Sequence, residues 1–205
     1  MYQQETNPKE LQIHMDGQNA RDEWAKDLNE NNTNLQIQEF KNRCGGELKK
    51  RARIVLDNDS RRQTVIMAKP YEGEEEAFSV NNEQIYIITR NGEILKIGGT
   101  RTSMKKRFGS YLCGHHVVER GRSGRMSVTN AHVYHTIEQD LLETDSIWEI
   151  YTWLLPITTI TQNIFGEEVQ IIAQTYHAYE SCCINLFRSI KGTIPFLCDN
   201  SDPNY

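Results

Sequence analysis

The chain has 205 residues, of which 38% are hydrophobic, and this is enough for one domain with its own core. Its net charge of −5 argues against a polycation that coats nucleic acid without specificity. No run of about 18 apolar residues is present and the N-terminus is polar, so we expect neither a membrane span nor a secretory signal. The cysteines are odd in number, and Cys182 and Cys183 are adjacent, which predicts reduced thiols in a cytoplasmic protein.

The first third of the chain is polar and gives weak structural signals. Asp22 to Leu28 and Leu35 to Leu56 have patchy helical character, and the Asn-rich segment between them is loop-like. Thr64 to Lys69 is apolar and partly β-branched, which predicts a short strand. We therefore expect residues 1–63 to form an N-terminal extension of helix and loop, and residues 64–205 to form the compact domain.

Stronger signals begin at Gln84 and alternate between strand and helix. The predicted elements are strands Ile85–Thr89 and Glu93–Gly98, a helix capped by Thr102 or Ser103 and running to Leu112, a helix Asn130–Glu143, a buried strand Ile147–Ile157 and a long helix Glu167–Lys191 with Gly192 as its C-cap. This order predicts an α+β fold in which a small three-stranded sheet is flanked by helices, with a basic loop inserted at about residues 113–130.

The pattern of the first hairpin favours one register. A two-residue Asn-Gly turn would pair apolar with polar residues, whereas a three-residue loop would pair Ile85 with Ile97. Register follows the hydrophobic pattern, because a slip of one residue inverts every side chain. We expect the three-residue loop, which sets Tyr86 opposite Lys96 on the polar face. The two glycines after Ile97 would then let another group approach closely, although an ordinary amphipathic hairpin has the same pattern.

Positive charge is concentrated in one segment. Residues 88–125 contain nine lysine and arginine residues against Glu93 and Glu119, so this segment carries +7 and the rest of the chain −12. Such a distribution suggests a localised site for a polyanion. A solvated basic face would have the same composition.

Two predicted helices each carry a polar side chain at an apolar stripe. Arg107 and Tyr111 are four residues apart and share a helix face beside the stripe that would dock this helix. Glu180 falls in the middle of the apolar stripe of the long helix. A buried carboxylate is costly unless it is paired or bound to a metal, so either an ion pair with Arg107 or Lys96, or Mg²⁺, would explain it. The simpler explanations are a surface arginine and a structural ion pair.

Together these residues resemble the motifs of the GIY-YIG nuclease superfamily. Its Gly-Ile-Tyr motif appears as Gln84-Ile85-Tyr86, and its Tyr-Ile-Gly motif appears as Lys96-Ile97-Gly98. Gln84 and Lys96 depart from the consensus, and the lysine looks like the variant of a branch of short Type II restriction enzymes. The resemblance covers about residues 84–200. The family's helix arginine, the His or Tyr four residues later and the metal-binding glutamate match Arg107, Tyr111 and Glu180.

The resemblance implies a Mg²⁺-dependent, site-specific deoxyribonuclease that hydrolyses phosphodiester bonds of double-stranded DNA. Glu180 would hold Mg²⁺, for which Mn²⁺ would substitute, and Tyr86 would act as the general base or orient the attacking water. A free phenol keeps its proton at neutral pH, so Lys96 would supply positive charge beside it or hold the water itself. Arg107 would stabilise charge on the phosphoryl oxygens, and Tyr111 would hydrogen-bond one of them.

The resemblance also makes the basic segment an expected DNA-contacting surface. The loop at residues 115–129 would reach DNA grooves, where arginine reads guanine or tracks phosphates, although a plain flexible basic loop fits equally well. An enzyme that cuts both strands usually works as a dimer on a symmetric site. We therefore expect a homodimer, with a protecting DNA methyltransferase in the same host. The residues expected to contact DNA are Arg101, Lys105, Lys106, Arg120, Arg122 and Arg125.

Other functions remain open at this point. A repair or mobility nuclease of the same superfamily would carry the same motifs. A non-catalytic DNA-binding protein with a degenerate site would also keep the fold and the basic segment. Cys113 with His115, His116, His132 and His135 would suggest a structural zinc site, although the spacings are loose.

Overall fold

The computed structural model of the protein describes residues 36–45, 47–58, 65–114 and 128–198. No helix in these ranges is long and apolar enough to cross a membrane. The helices in them are α1 (Ile37–Cys44), α2 (Glu75–Ser79), α3 (Met104–Leu112), α4 (Val128–Glu143) and α5 (Tyr176–Lys191). The strands are β1 (Lys49–Leu56), β2 (Ile66–Pro70), β3 (Gln84–Arg90), β4 (Glu93–Thr100), β5 (Trp148–Leu154), β6 (Thr158–Ile164) and β7 (Glu167–Ala173).

Five strands form one sheet in the order β2-β1-β5-β3-β4, and β6 and β7 form a separate two-stranded ribbon. β5 pairs antiparallel with both β1 and β3, and β3 pairs antiparallel with β4. The predicted α+β class is confirmed, and β2, β5 and α4 lie where the sequence predicted a strand, a strand and a helix. The sheet is larger than the predicted three strands, because β1 and β2 extend it beyond β5.

Strand β1 lies in a segment that was predicted to be patchily helical, and that prediction was wrong. The strand begins with a run of basic residues, and its buried positions do not alternate regularly because its pairing with β5 shifts between Lys50 and Ala52. Arg51 is buried in it because its Nε donates to Thr152 Oγ1 at 3.2 Å and its guanidinium pairs with Glu74. These partners lie far away in the sequence, so local pattern does not reveal them.

The predicted long helix Glu167–Lys191 is two elements rather than one. Residues Glu167–Ala173 form strand β7, and helix α5 begins only at Tyr176. The turn at Phe165 and Gly166, with φ of 54° and 92°, reverses the chain and pairs β7 with β6. Apolar residues in this stretch fit a helix and a strand equally well, and the turn decides between them. The end of the helix is as predicted, with Gly192 left-handed at its C-cap.

Helix α5 packs on the face of the sheet that carries alternate isoleucines of β3 and β4. Ile85, Ile87 and Ile97 are fully buried, and they cluster with Ile184 and Phe187 of α5. Burial of each such side chain contributes about 1.5–3 kcal/mol. This packing fixes the helix against the hairpin β3–β4.

The described residues divide into two compact units. The larger unit holds those within 33–54, 68–107 and 147–205, which include β3 to β7 and α5. The smaller unit holds those within 55–67 and 108–146, which include α4.

Candidate active site beside Gly98 and Gly99

The hairpin β3–β4 turns through two residues rather than the predicted three. Asn91 and Gly92 have φ of 50° and 85°, which suits the twist of the flanking strands. The turn is held from outside, because Asn91 Oδ1 accepts the backbone N–H of Ile147 at 2.8 Å. The extra residue of the hairpin is therefore not in the turn but in β4, as a bulge opposite Ile88 and Thr89.

The bulge changes which residues face each other across the hairpin. Tyr86 is opposite Gly98 and Ile88 is opposite Lys96, so the predicted pairing of Tyr86 with Lys96 was wrong by two positions. Paired residues share a face, and faces alternate along a strand. Tyr86 and Lys96 therefore still lie on one face of the hairpin, in the neighbouring pairs Tyr86–Gly98 and Ile88–Lys96 of that face.

Gly98 and Gly99 admit two side chains that approach β4 from different elements. A methyl group on Gly98 would lie 2.2 Å from the hydroxyl of Tyr86, so the phenol occupies the place of a side chain. A methyl group on Gly99 would lie 2.7 Å from the ring of Tyr176 and 3.0 Å from Glu180 Oε2. The two glycines thus bring a phenol and a carboxylate against adjacent residues of one strand.

Helix α3 carries Arg107 to the hydroxyl of Tyr86. Ser103 caps the helix, since its Oγ accepts the N–H of Lys106 at 3.2 Å, as the sequence predicted. Arg107 Nε donates to Tyr86 Oη at 3.0 Å, and the guanidinium lies 5.8 Å from the centre of the Tyr86 ring. The phenol oxygen accepts a charge-assisted hydrogen bond, which stabilises negative charge on that oxygen.

Gln84 fastens the loop that precedes α3. Its side chain is fully buried, and its Nε2 donates to the carbonyl of Thr102 at 2.9 Å. Because Thr102 directly precedes the cap of α3, this amide ties the start of β3 to the helix that carries Arg107. In the sequence Gln84 stood out only as a departure from a motif, and no role was predicted for it.

Glu180 lies in the second turn of α5, and the start of this helix is anchored. Glu83 Oε2 accepts the N–H of Thr175 at 2.9 Å and its hydroxyl at 3.0 Å. The carboxylate of Glu180 accepts the backbone N–H of Gly99 on the edge strand β4. Glu180 is therefore oriented by both its helix and the strand it faces.

The electrostatic surroundings of Glu180 disfavour its ionised form. Burial raises the pKa of Glu180, while Lys96, the Gly99 N–H, His177 and Arg107 act in the opposite direction and are outweighed. A buried carboxylate in this condition gains from a bound divalent cation. His177 was missed at the sequence level, and its spacing of three residues before Glu180 on one helix was the available signal.

Lys96 is buried beside the C-terminal tail, with 4% of its surface exposed. The N–H of Leu197 donates to the carbonyl of Leu95 at 2.8 Å. Cys198 Sγ accepts the N–H of Ile97 at 3.4 Å and donates to its carbonyl at 3.2 Å. Burial raises the pKa of the Cys198 thiol, and the charge and hydrogen bond of Lys96 oppose that rise. The tail thus runs along β4 and covers the residues that flank Lys96.

Tyr111 follows Arg107 by one turn of α3 and is buried, with 1% of its surface exposed. It belongs to the smaller unit, whereas Tyr86, Arg107 and Glu180 belong to the larger one. Its predicted contact with phosphate stays a prediction.

The basic residues predicted to contact DNA divide into two groups. The first group is exposed around the start of α3, where a polyanion can reach its charges. The second group lies outside the described residues. The first consists of Arg101, Lys105 and Lys106, and the second of Arg120, Arg122 and Arg125.

The donors at Glu180 suit Mg²⁺ rather than zinc. A structural zinc site needs four protein ligands, and the described residues contain no group of three or more metal-binding side chains. Mg²⁺ is held by one or two carboxylates and keeps several waters. Glu180 offers one oriented carboxylate, which fits a magnesium site completed by water and substrate oxygens. Of the residues considered for zinc, His115 and His116 lie outside the described part of the chain.

The assembled groups have a defined chemical capacity. Arg107 and Lys96 supply positive charge for an anionic substrate, and Tyr86 supplies a phenol oxygen polarised by a guanidinium. Glu180 supplies a carboxylate for a cation. Such a set can bind a phosphate, orient a water and stabilise the charge that develops as a phosphoester bond breaks.

No protein-family model matches the chain, and no curated protein matches it. Solved structures that are similar to it include the following two. One is the restriction endonuclease HPY188I in complex with product DNA, with 22% identity and a TM-score of 0.51 over 85% of this chain and 91% of that chain. The other is a mutant of bacteriophage T4 EndoII, with 18% identity and a TM-score of 0.48 over 75% of this chain and 95% of that chain. The first similarity establishes a shared fold.

Proposed function

We propose that this protein is a GIY-YIG-type endonuclease that hydrolyses phosphodiester bonds of double-stranded DNA, and that it acts as a Type II restriction enzyme at a specific short sequence. The observation that carries the proposal is the hydrogen bond from Arg107 Nε to the Tyr86 hydroxyl at Gly98, with Glu180 at the adjacent Gly99. The fold shared with HPY188I supports it, since that restriction endonuclease was solved with product DNA.

Arg107 binds the scissile phosphate while it holds Tyr86. A guanidinium is a planar group whose N–H donors match the geometry of a phosphate, so Arg107 is suited to contact a phosphoryl oxygen beside the phenol. Its fixed charge stabilises the negative charge that grows on the phosphoryl oxygens in the transition state. The exposed side chains of Arg101, Lys105 and Lys106 bind neighbouring phosphates and set the position of the duplex.

Tyr86 orients the attacking water or takes its proton. The hydrogen bond from Arg107 favours negative charge on the phenol oxygen. Lys96 belongs to the same face of the hairpin one pair away and adds positive charge there. A methyl group at Gly98 would stand where the hydroxyl is, so the glycine keeps that oxygen in place.

Glu180 holds Mg²⁺, with Mn²⁺ as a substitute. When bound, the ion polarises the phosphate and stabilises the leaving 3′-oxygen. Glu180 is kept in position by the Gly99 N–H and by the anchored start of α5.

Cutting both strands in one binding event uses two sets of catalytic residues. One chain carries one set of Tyr86, Arg107 and Glu180, so the proposed enzyme is a homodimer on a symmetric DNA site. The host's own sites would be protected by a DNA methyltransferase.

Cleavage of unmethylated phage DNA tests the proposal. The purified protein is incubated with Mg²⁺ or with EDTA, and the products are separated on a gel. Glu180→Gln removes the carboxylate with little change in size, and Glu47→Gln makes the same change at a side chain that is 85% exposed. We expect discrete bands from the parent and from Glu47→Gln with Mg²⁺ alone, and intact DNA from Glu180→Gln. Full cutting by Glu180→Gln would overturn the assignment.

Two other results would assign a different function. A smear that needs both Mg²⁺ and Glu180 would indicate a nuclease of repair or mobility type. Intact DNA on several unmethylated substrates, despite measurable binding, would indicate a non-catalytic DNA-binding protein.

A further inference from the structure

We infer that the ribbon β6–β7 is the surface on which a second copy of this chain docks. Of the sixteen residues from Thr158 to Ala173, fourteen are exposed and two are half-buried. Among the described elements, β6 and β7 make their extensive contacts with each other. The choice of a second copy as partner rests on the proposed function, because an enzyme that cuts both strands at a symmetric site usually works as a dimer.

The ribbon has one apolar and one polar face. On one face, pairing sets Ile160 opposite Ile171, Gln162 opposite Val169 and, nearest the turn, Ile164 opposite Glu167. Ile160, Ile164 and Val169 are 41%, 38% and 36% exposed, although each is apolar. The opposite face carries Thr159, Thr161, Asn163, Glu168, Gln170 and Ile172. The apolar side therefore has the composition of a sheet face that packs against something.

A ribbon of this kind calls for a partner on physical grounds. An isolated two-stranded ribbon is marginally stable in water and needs a further layer on its apolar face. Contiguous exposed apolar residues on a soluble protein mark an interaction site. At the turn, Phe165 is fully exposed, and this large aromatic ring would be buried first in an interface.

The base of the ribbon is fixed next to the candidate active site. Before β6, the N–H of Leu155 donates to the carbonyl of Glu83 at 2.9 Å, and Asn82 Nδ2 donates to the carbonyl of Leu155 at 3.0 Å. After β7, Thr175 donates to the carboxylate of Glu83. Glu180 follows the ribbon by seven residues. A copy held by the ribbon would therefore have a defined orientation to Glu180.

The charge of the ribbon argues against DNA as its partner. Residues Thr158–Ala173 contain no lysine or arginine, and Glu167 and Glu168 lie just after the turn. A ribbon that enters a DNA groove needs cations to neutralise phosphates. An acidic ribbon with an apolar face fits a protein surface.

Two copies of the ribbon are compatible with each other around a two-fold axis. An isologous interface buries the same patch on both partners. If the ribbons lie antiparallel, the acidic turn of one covers the base of the other. Seven residues per strand span about 24 Å, so the carboxylates of the two turns are separated by more than the screening distance of about 8 Å. A standard interface uses about 20–30 residues a side; the apolar face of the ribbon supplies eight of them, with Phe165 at the turn, and the surface beside the ribbon supplies the rest.

Sedimentation of the full chain tests this inference, alone and with a DNA duplex. Ile160→Glu puts a charge on the apolar face, and Thr161→Glu puts the same charge on the polar face one residue later. We expect the parent and Thr161→Glu to sediment at twice the mass of one chain. Ile160→Glu should raise the dimer dissociation constant by about 30-fold or more, as expected for a buried interface position, with unchanged helical content by circular dichroism.

Three results would overturn the inference. The parent would sediment as one chain both alone and on DNA, or Ile160→Glu would dimerise as tightly as the parent. Alternatively, Ile160→Glu would lose DNA binding while its mass stayed that of the parent, which would make the ribbon a DNA-contacting element. Glu180→Gln is expected to dimerise like the parent although it does not cut. Failure of the interface and failure of the nuclease assignment therefore give different results.

Discussion

Gly98→Ala is the sharpest small perturbation of the candidate site. The added methyl group would lie 2.2 Å from the Tyr86 hydroxyl, whereas ordinary contact begins at 3.4 Å. The phenol must therefore move by about 1.2 Å, or the strand must move instead. Either shift lengthens the 3.0 Å hydrogen bond between Arg107 and Tyr86 beyond bonding range.

Misplacement of a catalytic group by about 1 Å costs about 100-fold in rate, so we expect kcat to fall by about that factor. Overpacking costs about 1–3 kcal/mol, which lowers Tm by about 2–10 °C in a chain of this size. Circular dichroism checks that the variant folds, because the Tyr86 ring is buried and its Cζ would also lie 2.3 Å from the added methyl group.

The assay is single-turnover cleavage of a duplex by the parent and four variants: Gly98→Ala, Gly109→Ala, Tyr86→Phe and Tyr86→Phe with Gly98→Ala. Gly109→Ala on α3 is the matched control, because a methyl group there meets nothing within 4 Å. This control should cleave normally and gain about 0.5–1 kcal/mol of stability. The Tyr86→Phe variant already lacks the hydroxyl, so adding Gly98→Ala to it should lower the cleavage rate by less than about threefold. If Gly98→Ala cleaves like the parent, or loses 100-fold in both backgrounds, the phenol at Gly98 is not the group that matters.

Three further predictions concern titration and reactivity. Burial raises the pKa of Glu180 above its value in the unfolded chain. Between these two pKa values the folded chain keeps a proton that the unfolded chain has lost, so the free energy of unfolding falls as pH rises from the lower value to the higher. In EDTA, Glu180→Gln should lack this fall and melt above the parent at neutral pH; equal melting curves would contradict it. Burial also raises the pKa of Glu149, but hydrogen bonds led by that from Lys50 outweigh it and the net pKa is lowered. Its contribution is therefore present at neutral pH and lost in acid, so Glu149→Gln should cost about 1–3 kcal/mol in urea unfolding at neutral pH and less in acid. Burial raises the pKa of Cys183 to about 12, while Cys182 is exposed. A thiol reagent at neutral pH should label Cys182 rapidly and Cys183 only after denaturation, and equal labelling in peptide maps would refute this.

The residues of the candidate site were predicted from their combined spacing, because no single local signal identifies them. The apolar stripe that drew attention to Glu180 was placed on a helix over residues 167–191, of which Glu167–Ala173 form β7. The catalytic roles of these residues stay predictions. Ser103 marks the start of α3, and Arg107 follows it at helical spacing. The family spacing then linked Tyr86, Arg107 and Glu180. What the sequence could not supply was the contacts, such as the hydrogen bond from Arg107 Nε to Tyr86, because they depend on how α3 packs on the sheet.

The hairpin register was wrong for a physical reason. Apolar pairing favoured a three-residue loop that set Ile85 opposite Ile97, but a bulge inside β4 allows a two-residue turn and sets Ile87 opposite Ile97 instead. The turn is held by Ile147, whose N–H reaches Asn91 from a distant strand. A contact of that kind is absent from any local window of sequence.

Strand β7 was predicted as the start of the long helix and no element was predicted for β6, because the apolar residues of the ribbon do not face the core of the chain. The spacing of apolar residues predicts helix or strand reliably where one face of the element is buried within the same chain. Ile160 and Val169 are exposed, so their spacing reflects the apolar face of the ribbon and not the core of the chain. Only the positive φ at Phe165 and Gly166 separated strand from helix in this stretch.

The outward edge of β4 has a consequence for solubility. An open strand edge is a template for pairing with other chains and for aggregation. Here the outward groups of Leu95 and Ile97 are covered by Leu197 and Cys198, and the outward N–H of Gly99 is covered by Glu180. A fusion or truncation that removes Leu197 and Cys198 from β4 would therefore expose an unpaired strand edge. Its first effect would be precipitation of the protein rather than a lower rate of cleavage.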